Sequence, residues 1–95
     1  MSQTRLQYLL GKLAEEACEV AQMANKTKDF GFDEVYETDS NKQRLHSEIN
    51  DMQTIIEMLN YEFQFEFIMN QSSMLKKVDK VNKYYEYSKS LGLAD

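Results

Sequence analysis

Proline is absent from the 95 residues, and glycine occurs only at Gly11, Gly31 and Gly92. A β fold of this length needs a turn every few residues and spends Gly and Pro on them, whereas a few long helices need almost none. The chain is therefore expected to be all-α, with three to four helices. Residues 1–95 suffice for a single domain. A chain this short buries only roughly 60–65% of its unfolded surface, so its core is expected to be thin and its helical bundle to be completed by oligomerisation.

Hydrophobic spacing places the helices. Leu6, Leu9, Leu10, Leu13, Ala17, Val20, Ala21 and Ala24 recur three and four residues apart, predicting a first helix from about Ser2 to about Lys28 with one buried face. Gly11 inside it is expected to mark a close helix contact, and Cys18 to be buried as a small apolar residue. Asp29 to Asn41 has no helical period and reads as a loop, with Asp39 and Ser40 offering caps for the next helix. The period resumes at Leu45 and runs through Ile49, Met52, Ile56, Leu59 and Phe63, predicting a second helix that continues toward Met69. Phe63, Phe65 and Phe67 alternate as in a strand, but a lone strand has no partner in a helical chain, and helix is the reading taken. Ser72 or Ser73 is expected to cap a third helix through Met74, Leu75, Val78, Val81, Tyr84 and Tyr85, ending near Gly92.

Charge and cysteine usage remove several classes of function. Sixteen acidic against eleven basic residues give a net charge of −5, a field that repels nucleic acid polymers. One cysteine supports neither an intramolecular disulfide nor a cysteine zinc site. No stretch approaches the roughly 20 apolar residues that cross a bilayer, and no apolar leader follows the N-terminus, so no membrane association and a cytoplasmic location are expected.

The acidic residues are more informative than their number. At about 100° per residue, with Leu13 at zero, Glu16 falls near 300° and Glu19 near 240°, on one shoulder of the apolar stripe. Glu15, near roughly 200°, falls on the far side. With Leu45 at zero, Glu48 and Asp51 take the same two offsets on the second helix. Two such helices packed by their apolar faces bring both pairs to one edge, and four like charges there are costly without a cation. An all-oxygen set suits a hard ion, Mg²⁺, with Mn²⁺ able to replace it, and leaves positions open for water and phosphates.

The run Lys12-Leu-Ala-Glu-Glu-Ala-Cys-Glu-Val-Ala21, followed by Glu48-Ile-Asn-Asp51, resembles the ExxE and ExxD motifs of the all-α NTP pyrophosphatases. That superfamily includes MazG-like proteins, dimeric dUTPases, dCTP pyrophosphatases and phosphoribosyl-ATP pyrophosphatase. The resemblance covers roughly residues 5 to 60. It implies Mg²⁺-dependent hydrolysis of a nucleoside triphosphate, a dNTP by preference, to monophosphate and pyrophosphate, in control of the nucleotide pool. It also implies Glu16, Glu19, Glu48 and Asp51 as the catalytic and metal-binding set, and a homodimer or homotetramer. Lys83-Tyr84 resembles a Lys-Tyr pair found late in several members, although the asparagine often placed three residues before that lysine is here Lys80.

Other residues carry two readings each. Lys76, Lys80 and Lys83, at i, i+4 and i+7, form a basic stripe that is either a solvated face or a phosphate contact. Lys12, one turn before Glu16, is either a surface ion-pair partner or a substrate contact. With Tyr84, these lysines are the expected substrate-binding residues. His46 reads as a polar residue early in the second helix or as a catalytic base, and Phe63, Phe65, Phe67, Ile68 and Met69 as core or subunit interface or as a pocket stacking the nucleobase. A different class of function also fits: a non-catalytic helical interaction or nucleotide-sensing module whose acids are a solvated edge.

Overall fold

The computed structural model describes residues 2–95. Its elements are α1 (Arg5–Phe30), β1 (Val35–Tyr36), β2 (Asp39–Ser40), α2 (Asn41–Phe63) and α3 (Gln71–Ser90). The all-α reading holds, with three helices and one minimal hairpin.

Local chemistry sets each boundary. α1 begins at Arg5 because Thr4 and Gln7 form a reciprocal capping box: the Gln7 N–H donates to Thr4 Oγ1 and the Thr4 N–H to Gln7 Oε1, both at 3.0 Å. It runs past Lys28 to Phe30 and stops where Gly31 takes a φ of 89°. The expected loop contains an antiparallel hairpin pairing Val35 with Ser40 and Tyr36 with Asp39, turned at Glu37 with φ 59°. Ser40 then caps α2 through a second box with Gln43.

α2 ends at Phe63, short of the expected continuation toward Met69, because Gln64 turns left-handed at φ 50°. Asn60 explains the reversal. Its side chain donates to the Phe67 carbonyl and accepts the Phe67 N–H, both at 2.9 Å, so it serves the backbone of Phe67 as a neighbouring strand would. Phe65 and Phe67 stack at 6.3 Å, and the alternation of Phe63, Phe65 and Phe67 belongs to neither helix nor strand beyond Phe63. α3 is capped by Asn70, which accepts the Ser73 N–H at 2.8 Å, so the cap lies before both expected serines. It closes at Leu91, with Gly92 at φ 74°.

α1 and α2 pack antiparallel. At the open end Arg5 grips Glu62 with two contacts of 3.0 and 3.1 Å; at the hairpin end the fully buried Asn41 donates to the Gly31 carbonyl at 2.9 Å. Between them the buried apolar residues are Leu9, Met23 and Leu59. Several stripe residues expected inside, including Leu6, Leu10, Ile49 and Phe63, are exposed. Cys18 is exposed too, and a Cβ placed on Gly11 would meet no atom within 4 Å, so neither makes the expected close contact.

The cause is α3, which carries no buried residue and leaves Met74, Leu75, Val78 and Val81 open, so it does not cover the helical pair. The chain is correspondingly extended, 50 × 39 × 26 Å with a radius of gyration of 17.1 Å, against about 12 Å for a compact domain of this length. Its accessible surface of 7917 Å² exceeds by roughly 2,200 Å² the area typical of a folded monomer of this mass. Among the described residues, no helix is long and apolar enough to cross a membrane.

Candidate functional site

Antiparallel pairing sets which residues of α1 and α2 face each other, and the Arg5–Glu62 pair fixes the register at one end. Counting inward along both helices from that pair brings the level of Glu16 and Glu19 to that of Asp51 and Glu48. Glu16, Glu19 and Glu48 each present a carboxylate oxygen, and the three oxygens lie within 4.8 Å of one another. Asp51 stands outside this tightest set, yet its charge is felt by both Glu16 and Glu48. Glu15 points away, exposed and ion-paired with Lys12 at 3.1 Å, as its helical angle required.

The inner and outer positions differ in environment. Glu16 and Glu48 are half-buried while Glu19 and Asp51 are exposed. One oxygen of each inner acid, Oε2, is buried without a hydrogen-bond partner. Such orphaned acceptors are rare and expensive, and a hard cation beside them would give each a partner. The donor set is all oxygen, so the residues present fit Mg²⁺ or Mn²⁺.

Burial first, then the charges of Glu19 and Asp51, hold the Glu16 carboxyl above the usual carboxylate range. Burial likewise leads for Glu48, followed by the adjacent Glu19, Asp51 and Glu16. Both groups favour their protonated forms more in the folded state than in the unfolded chain. The folded state therefore binds more protons through this range, and stability falls as pH rises from the ordinary glutamate value through the raised ones. Glu62 has the opposite sign, since the Arg5 hydrogen bond lowers it, and its contribution is complete above the ordinary glutamate value. In EDTA the melting temperature is expected to fall as pH rises from the ordinary glutamate range to neutrality, and Mg²⁺ to restore more of it at the higher pH. Thermal melts followed by circular dichroism check this.

The remaining expected substrate residues lie elsewhere. Lys12 is on α1 with its ammonium on Glu15 and over the Tyr8 ring at 5.5 Å. Lys76, Lys80, Lys83 and Tyr84 are exposed on α3, away from the packed pair, and one copy of the chain does not bring them to the carboxylates. His46 is exposed on α2.

Beside the carboxylates the structure adds a cleft of about 390 Å³ lined by Glu19, Gln22, Met23, Lys26, Arg44 and Glu48. Helical spacing carries a faint signal for it, because Gln22 and Lys26 follow Glu19 at i+3 and i+7 and Arg44 precedes Glu48 by four. Without the hairpin's course nothing distinguished these cations from ordinary surface charge. Compared with protein-family models, curated proteins and solved structures, the chain matches none.

Proposed function

We propose that this chain is a Mg²⁺-dependent nucleoside triphosphate pyrophosphohydrolase of the kind its ExxE and ExxD motifs resemble, acting on a dNTP in the cytoplasm and as a homo-oligomer. The supporting observation is the meeting of two acid pairs from two helices, with the inner oxygens of Glu16 and Glu48 buried and unpartnered. In this reading Glu16, Glu19, Glu48 and Asp51 are the residues that would hold the ion. When bound, it would neutralise phosphate charge and make the attacking water easier to deprotonate. An outer carboxylate, Glu19 or Asp51, accepts the proton of the water that attacks the α-phosphorus; the α–β anhydride bond breaks, and monophosphate and pyrophosphate leave.

Oligomerisation has its own support in the uncovered apolar side chains of α3 and in the excess accessible area. It gives Lys76, Lys80, Lys83 and Tyr84 a role, since a neighbouring copy's α3 can reach a site that its own chain leaves open.

The same uncovered helix favours a second reading, a non-catalytic interaction module whose partner covers α3. A panel of NTPs and dNTPs incubated with pure protein and Mg²⁺ separates the two. Pyrophosphate and monophosphate are the expected products, strongest for one deoxynucleotide; orthophosphate in their place, or no turnover with any substrate, rejects the enzyme reading.

A further inference from the structure

The cleft that opens from Glu19 and Glu48 ends on two cations, Lys26 of α1 and Arg44 of α2. Both lie over one aromatic ring, that of Tyr36 in the hairpin, with the Lys26 ammonium 5.3 Å and the Arg44 guanidinium 5.1 Å from its centroid. A ring at this distance attracts a cation and restricts where its long side chain can go. Among the described residues neither cation has a carboxylate within ion-pairing distance, although Arg44 stands one helical turn from Glu48. Arg44 also has a buried nitrogen, Nη1, with no hydrogen-bond partner. A guanidinium held beside an aromatic ring in the lining of a cleft, with no carboxylate partner, is suited to a phosphate oxygen.

We propose that Lys26 and Arg44, positioned by Tyr36, anchor the end of a phosphate anhydride chain whose other end lies at the Glu16–Glu19–Glu48 cluster. This rests on the reading of that cluster as a metal site and adds to it a direction for the substrate. At 1.5 Å rise per residue, Arg44 lies about 6 Å along α2 from Glu48, and Lys26 about 10 Å along α1 from Glu19. That is the scale of a di- or triphosphate, with charges of opposite sign at its two ends to orient it. The chain so held belongs either to a nucleotide or to free inorganic polyphosphate.

Calorimetric titration in Mg²⁺ with inorganic tripolyphosphate, and with a nucleoside triphosphate bridged by methylene between its α and β phosphates, tests the proposal. Arg44→Gln and Lys26→Gln are each expected to weaken both probes by about 10-fold or more, with Arg44→Lys recovering part of the loss. Lys42→Gln, an equal change of charge on an exposed position of α2, stays within about 2-fold, consistent with a contact rather than a field effect. Mg²⁺ titrated alone binds Arg44→Gln as it binds wild type, and unchanged circular dichroism shows the helices intact. Whichever probe wild type binds more tightly identifies the source of the chain. Wild-type affinity in Arg44→Gln and Lys26→Gln, or an equal loss in Lys42→Gln, overturns the proposal even if nucleotides are hydrolysed. The expected losses in a protein that releases no pyrophosphate leave the anchor standing and reject the hydrolase.

Discussion

Glu48→Gln is expected to lower pyrophosphate release by at least ~100-fold while raising the melting temperature of the metal-free protein. The two effects have one cause. Glu48 is a half-buried carboxylate with an unpartnered oxygen, in a cluster with Glu16 and Glu19, and burial and the adjacent acids hold it above its ordinary range. Replacing it by an isosteric neutral amide removes a like charge from a repelling set, which relieves the apo fold. In the proposed hydrolase it would also remove an anionic ligand from the metal site, weakening Mg²⁺ and with it the neutralisation of substrate charge. The stabilisation should be greatest near neutral pH, where Glu48 is most ionised, and should fade on acidification as the carboxyl takes up its proton. Glu15→Gln is the matched control: the same chemical change on the same helical pair, but at an exposed residue paired with Lys12. It should leave turnover within about 2-fold, since exposed charges contribute little to a site they do not face. Equal losses in the two variants would show that the acids act through net charge alone. A fall in apo melting temperature with Glu48→Gln would show that the carboxylate is satisfied by protein contacts rather than waiting for a cation.

The carboxylates were legible in the sequence because their placement depends only on helical period. Glu16, Glu19, Glu48 and Asp51 take equal offsets from their apolar stripes, and antiparallel packing of those stripes does the rest. Lys26 and Arg44 were not legible. Their meeting depends on Tyr36, which reaches them through a turn at Glu37, a residue in the left-handed region where Gly or Asn would ordinarily announce a hairpin. The end of α2 was hidden for a similar reason: Asn60 reads as one more polar helix residue, and only the folded chain shows its amide pairing with Phe67. Cys18 reads as buried because it is small and apolar, and Gly11 as a close contact because glycine is costly inside a helix, yet both lie on exposed parts of α1. Helical period places a residue on a face but not what packs there, and α3, which has no buried residue, leaves much apolar surface open.

That thin core makes the second large effect predictable. Leu59→Ala should cost about 2–5 kcal/mol, a sum comparable to the whole stability of many small domains, and leave a substantial unfolded population near room temperature. Leu59 is 1% exposed, like Leu9, and with Met23 these side chains form the buried apolar contact between α1 and α2. Truncating one leaves a cavity that two helices pinned at their ends by Arg5–Glu62 and Asn41 cannot easily collapse. Leu59→Met, which keeps the volume, should cost less than about 1.5 kcal/mol. If a second copy covers the exposed apolar residues of α3, association adds stability that depends on protein concentration. Melting temperature should then rise with concentration in wild type, and Leu59→Ala should be lower at every concentration because its cavity lies inside each copy. Urea melts at two protein concentrations measure both terms. A cost below about 1 kcal/mol for Leu59→Ala would mean that the α1–α2 contact is held mainly by the association of copies and not by its own side chains.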